Sequence, residues 1–373
     1  MNPQRTGRLL APDVQDALMG WVYARALMAL AFVVALIVSD ELVGGRTVQL
    51  HQGLFAWDGA FYRDIADYGY DALPTTALRF FPLLPMLARL GGFLIGGNVG
   101  LALLVVVNVS ALVVGVLLHR LAVAETGDRA LGARAAWVVA LLPPATVFVL
   151  GYAEALMMGL TIAAFLRFRN NQWWSAAGLG FLAGLSRPLG VALVVPTAIE
   201  AARGWSRASP SDRGSRLAAV VAPLAGLACY LAWVEIRFED WHLPLRAQTA
   251  LDLRGDFVNP FVTILDALGG MFGSEGLGEG LHAPWIVLYL ALLVVVFRRW
   301  PVSYGAYATV IVAFALSAES LGSFERYGLS AFPLILALAQ LLDRPPIERA
   351  AMVGLGAAMT AFAVLIFTGS FVP

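Results

Sequence analysis

Long stretches without a charged side chain recur along the whole chain, and they constrain the fold more than any other feature. Asn98–Leu118 carries no acidic or basic residue at all. A helix rises about 1.5 Å per residue, so roughly 20 apolar residues cross the ~30 Å hydrocarbon core of a bilayer. The composition agrees: 60% of the 373 residues are hydrophobic and 13% are charged, with a mean hydropathy of +0.76. Soluble domains are nearer a quarter charged. The expected fold class is an all-α polytopic membrane protein, formed as one transmembrane domain over residues 1–373.

Spans are expected at Trp21–Val43, Asn98–Leu118, Ala135–Leu150 (interrupted by Pro143-Pro144), Tyr152–Phe168, Leu217–Ile236, Pro284–Phe297, Val302–Ala318, Leu329–Leu342 and Ile347–Thr368. Trp173–Leu185 and Pro188–Ala202 are short and meet at Ser186-Arg187, which predicts a hairpin of inward-packed helices. Leu83–Ile95 is apolar but brief, so it is expected to lie in the interface or re-enter. The total is about eleven spans.

Formal net charge is zero, which gives no electrostatic case for a nucleic-acid partner. All 25 basic residues are Arg. Arg5, Arg8, Arg120, Arg129, Arg134, Arg167, Arg169, Arg203, Arg207, Arg213, Arg216, Arg298, Arg299, Arg344 and Arg349 fall on one set of loops, which the positive-inside rule makes cytoplasmic. The N-terminus is then inside as an uncleaved anchor, and the C-terminus is outside. Acids gather on the outer side, notably in the long loops at 44–82 and 237–283, where Glu275 and Glu279 read as ordinary solvated charge. The lone cysteine, Cys229, sits in an apolar run and reads as a small buried residue. His51, His119, His242 and His282 share no helical turn, so neither a metal nor a cofactor site is expected.

Phe55–Pro85 departs from this background. Asp58, Asp64, Asp67 and Asp71 fall among Trp57, Phe61, Tyr62, Tyr68 and Tyr70. At helical spacing Trp57, Phe61, Ile65 and Tyr68 share one face and Arg63, Asp64 and Asp67 another, predicting a short amphipathic helix in the membrane interface. Asp58 stands at its start, as either an N-cap or a catalytic carboxylate. Three further features lie at helix ends next to hydrocarbon: Glu154 after Gly151-Tyr152-Ala153, Arg187 before Pro188, and Glu325-Arg326-Tyr327 opening the penultimate helix. A charge there is costly unless paired or functional. Glu154 and Arg187 could pair with each other, or Arg187 and Arg326 could bind an anion such as a lipid phosphate, to which a forked guanidinium is suited.

Trp57-Asp58 followed by a Tyr/Asp helix, Phe80-Phe81-Pro82-Leu83-Leu84-Pro85, Tyr152-Ala153-Glu154, Trp173-Trp174 and Ser186-Arg187-Pro188-Leu189-Gly190 resemble the PIG-V family of GPI mannosyltransferases and its bacterial relatives. Leu243-Pro244-Leu245-Arg246-Ala247-Gln248 and Arg326-Tyr327 with Phe332-Pro333 are weaker echoes in the same order. The resemblance implies a GT-C fold in a bacterial plasma membrane, an active site on the outer face, a polyprenyl-phosphate-mannose donor and a lipid or glycolipid acceptor. It implies Asp58 as the catalytic carboxylate, with Trp57, Tyr62, Asp67, Glu154, Arg187, Arg326 and Tyr327 as substrate-binding residues. Where the family has Gly-Asp-Pro-Leu in the outer loop, this chain reads Asp240-Trp241-His242-Leu243-Pro244-Leu245.

Chemistry leads the same way. A glycosyl phosphate already carries a good leaving group, so one carboxylate to take the acceptor proton and cations for the departing phosphate suffice. The competing reading is a transporter or lipid flippase, which would show internal repeats and broken helices meeting at the midplane. No repeat is visible.

Overall fold

The computed structural model describes residues 10–43, 45–249, 254–270 and 282–373; Arg5, Arg8, Asp252, Glu275 and Glu279 lie outside them. Among the described residues every regular element is helical. α1 (Pro12–Val38) starts with proline in its first turn, where the missing N–H costs nothing, and ends in a π turn, Ser39–Val43. It begins nine residues before the expected span, with Pro12 and Asp13 in its first turn. α2 (Val48–Gln52), α3 (Asp58–Tyr68) and α4 (Leu83–Leu94) form the segment before α5 (Val99–Thr126). At twelve residues α4 is about 18 Å long, too short to cross, and Met86, Leu90, Phe93 and Leu94 lie exposed along it.

α6 (Arg129–Leu141) stops at the Pro143-Pro144 pair, which opens a 3-10 stretch to Phe148. α7 (Glu154–Arg169), α8 (Trp173–Ser186), α9 (Val194–Ala202) and α10 (Pro210–Phe238) follow, with a second 3-10 stretch, Pro188–Leu193, inside the short hairpin. The C-terminal part holds α11 (Leu243–Gln248), α12 (Pro260–Gly270), α13 (Ala283–Arg299), α14 (Val302–Leu316), α15 (Phe324–Leu329), α16 (Phe332–Leu341) and α17 (Pro345–Phe367). The helix containing α1, together with α5, α10 and α17, is long and apolar enough to cross a membrane.

The core runs through α1, α5, α6, α7, α13, α14, α16 and α17, with Tyr152, Phe165, Tyr304, Tyr307 and Phe332 among its large, fully buried side chains. Three expectations fail here. Arg134 is not a loop residue; it is buried in α6 and its Nε donates to the Ala339 carbonyl at 3.0 Å. Cys229 is exposed on α10 rather than buried. Glu325-Arg326-Tyr327 does not open the penultimate helix: α15 is a separate turn of helix, and α16 begins at Phe332, with Pro333 in its first turn.

Candidate active site

α3 begins at Asp58, and Trp57 before it holds a left-handed φ of 60°. That turn sends the two side chains apart. The Trp57 indole donates to the Ile366 carbonyl at 3.1 Å, fastening the start of α3 to α17. Asp58 makes no cap: its Oδ2 accepts from Arg326 Nη1 at 2.6 Å, while its backbone N–H donates to the Tyr152 hydroxyl at 3.2 Å. The buried face of α3 is Gly59, Tyr62, Ile65 and Ala66, so the expected stripe is displaced: Tyr68 is 68% exposed and Tyr62 points inward. Gly59 packs on Gly151, whose N–H donates to the Leu54 carbonyl at 3.0 Å, and this close approach brings Asp58 to the start of α7.

Glu154, the first residue of α7, is 1% exposed. It pairs with Arg187, and Arg326 Nε lies 3.3 Å from the same carboxylate. Arg187 is where α8 must end, because a residue preceding proline is disfavoured in helical geometry. Its extended backbone carries the guanidinium toward Glu154 and Tyr327. Ser323, again with a positive φ of 66°, caps α15 and delivers Arg326 and Tyr327. Each half of the Asp58–Arg326 pair thus follows a non-glycine residue in a strained conformation, as functional sites commonly show.

These groups surround a cavity of about 200 Å³ lined by Asp58, Tyr62, Arg79, Arg187, Arg326 and Tyr327, with Arg254 and Gln248 completing the lining. Glu154 lies behind its wall. Asp67 is exposed toward the far end of α3 and takes no part in the lining, and Trp57 serves the α17 contact. Burial pushes the Tyr62 phenol up to about 12, so it stays a neutral donor. Burial also raises Tyr327, but Arg326, Arg254 and Arg187 outweigh it and hold that phenol below its ordinary value.

Two of the lining guanidiniums escape sequence reasoning. Arg79 ends a 3-10 turn pinned by Tyr230, whose hydroxyl donates to the Leu78 carbonyl at 2.6 Å. It lies over Phe80 and stands 3.9 Å from Asp58 Oδ1. Arg254 stacks on Phe314 and Tyr327, and its segment is held by the Ser320 N–H to its own carbonyl at 3.1 Å. The adjacency of Arg79 to Phe80-Phe81-Pro82 was the available signal; Arg254, in an acidic loop, offered none. Asp240 pairs with Arg246 away from the cavity. Among the described residues no group of three or more His, Cys, Asp or Glu could hold a metal ion.

Beyond the Phe80-Phe81-Pro82 segment lies a second chamber, about 640 Å³ and mostly apolar, bounded by Leu83, Met86, Leu90, Phe93, Leu185 and Trp233.

No protein-family model matches this sequence, and no curated protein matches it. Among solved structures, ArnT from Cupriavidus metallidurans bound to undecaprenyl phosphate is similar at a TM-score of 0.50 and 14% identity, over 93% of this chain and 75% of that one. The oligosaccharyltransferase AglB from Archaeoglobus fulgidus, in complex with an inhibitory peptide and a dolichol-phosphate, is more distant, at a TM-score of 0.43 and 12% identity. This chain spans about half the length of that protein, 56%. The likeness to ArnT shows the fold, a GT-C arrangement.

Proposed function

We propose that the protein is an inverting glycosyltransferase. It moves a sugar from a polyprenyl phosphate carrier to the hydroxyl of a lipid or glycolipid acceptor at the outer membrane face. One observation carries this reading: a reachable carboxylate, Asp58, 24% exposed, in a cavity whose other charged lining groups are guanidiniums. Asp58 Oδ2 is occupied by Arg326, and Oδ1 remains for an acceptor proton. The acceptor oxygen attacks the anomeric carbon as its proton passes to Asp58; the carbon–oxygen bond to phosphate breaks, and the electron pair leaves with the phosphate. Arg187 and Arg326 stabilise that developing charge. The carrier assignment is supported by the undecaprenyl phosphate bound to ArnT, the outer-face assignment by the Arg distribution. Mannose rests on the motif resemblance, and direct displacement then gives an α-mannoside from a β-linked donor.

The test is incubation of purified protein with radiolabelled polyprenyl-phosphate-mannose and a membrane lipid extract. Label is expected in the lipid fraction in an α-linkage. A β-linked product would overturn the displacement, and no transfer from that donor would overturn the mannosyl assignment.

A further inference from the structure

The charge inside the cavity is unbalanced. Asp58 is taken by Arg326, and Glu154 by Arg187. Arg79 reaches Asp58 only at 3.9 Å, and its side chain is 14% exposed. Arg254 makes no ion pair with any described residue; it donates to the Phe314 carbonyl at 2.7 Å and lies over two aromatic rings. Glu319, packed against the adjacent Gly255, is exposed and accepts from the Asp256 N–H at 3.1 Å. Among the described residues at the cavity, four guanidiniums against two carboxylates leave two positive charges facing one small space. The depressed Tyr327 phenol, ringed by three of those cations, reports the same field.

A glycosyl phosphodiester brings one negative charge. The phosphomonoester left after transfer brings between one and a half and two near neutral pH, its second ionisation falling near pH 6. Resting on the glycosyltransferase reading above, we infer that this cavity is matched to the dianionic polyprenyl phosphomonoester produced by transfer rather than to the monoanionic donor, so that the spent carrier is a tight competitive product inhibitor. The additional cations are Arg79, 3.9 Å from Asp58, and Arg254, stacked on the Tyr327 ring that Arg326 also approaches. Such a site favours the breaking of the sugar–phosphate bond, because attraction grows as charge builds on the departing oxygen. The consequence is slow release, and turnover then depends on a reaction that consumes the free polyprenyl phosphate.

The probes are farnesyl phosphate and its methyl phosphodiester, which share one chain and differ in the second ionisation. Their affinities for the full-length protein in detergent are measured by displacement of radiolabelled donor at pH 8 and pH 5. The monoester is expected to bind about 10-fold tighter than the diester at pH 8, and within about 3-fold at pH 5. Both probes meet the same protein at each pH, so their ratio reads the added phosphate charge. Arg254→Gln and Arg79→Gln are each expected to reduce the pH 8 ratio at least ~3-fold. Equal affinities at pH 8, or a ratio that neither substitution lowers, would overturn the inference while leaving the transferase reading standing. If neither probe displaces donor, the lipid-phosphate reading falls with it.

Discussion

Asp58 is the proposed base because only its Oδ2 accepts a side-chain hydrogen bond, Arg79 standing 3.9 Å from Oδ1. Arg326 fixes the carboxylate through Oδ2, and the strained Trp57 linkage aims it at the cavity. Arg187 is differently placed, since it is the partner of a nearly buried acid. Arg187→Ala therefore removes the proposed phosphate contact and also leaves Glu154 with Arg326 alone, and breaking a buried pair costs about 3–5 kcal/mol. Arg187→Ala is expected to lower both donor affinity and thermal stability, whereas Arg187→Ala with Glu154→Gln recovers stability alone. Recovery of donor binding in the double variant would show that Arg187 does not touch the donor. Ser323 offers a backbone test. Its φ of 66° suits glycine, so Ser323→Gly is expected to change stability by less than about 1 kcal/mol, while Ser323→Val costs roughly 1–3 kcal/mol. Thermal unfolding in detergent separates the two, and equal losses would place the constraint in the hydroxyl that donates to the Pro373 carbonyl.

Among the elements, α8 and α10 decide where Arg187 stands. They cross so closely that a methyl group on Gly184 would lie 2.1 Å from the Pro223 carbonyl oxygen, and one on Gly226 would lie 2.1 Å from that of Phe181. Gly184→Val is expected to destabilise by more than about 2 kcal/mol and to abolish transfer, because the displaced helix end is three residues from Arg187. Normal activity in that variant would show that α8 does not position the guanidinium. The short hairpin itself was legible in sequence, from two brief apolar runs about Arg187-Pro188. So was the brevity of α4. The face of α3 was not: local periodicity ranks Phe61 and Tyr68 as the apolar stripe, but packing against Gly151 and α4 rotates Tyr62 and Ala66 inward. α15 was hidden for a similar reason, since Arg326 is carried by a six-residue helix held by Tyr289, Ser323 and Asp58 rather than by its own pattern.

Across the whole molecule, charge is sorted to opposite helix ends. The cavity gathers the starts of α3 and α7 and the end of α8. At the far ends, Arg120 pairs with Asp13, and Arg169 bridges Glu125 at 2.7 Å and Glu200 at 3.3 Å. Sequence captured this sorting because Arg positions alternate with the apolar runs, although Arg134 turned out to be buried and the loop cations Arg79 and Arg254 went unread. The proposed orientation is tested directly: in a Cys229→Ser background, Asp67→Cys is expected to react with an impermeant thiol reagent in intact cells, and Ser206→Cys only after permeabilisation. The reverse pattern would place the cavity on the cytoplasmic side.

The most direct measurement is single-turnover transfer from radiolabelled polyprenyl-phosphate-mannose by the purified Asp58→Asn protein, with donor affinity determined on the same sample. The rate is expected to fall about 10²–10⁴-fold while donor still binds, as loss of a positioned base requires. Transfer at the unaltered rate by a folded, donor-binding variant would remove Asp58 from the reaction and contradict the account at its centre.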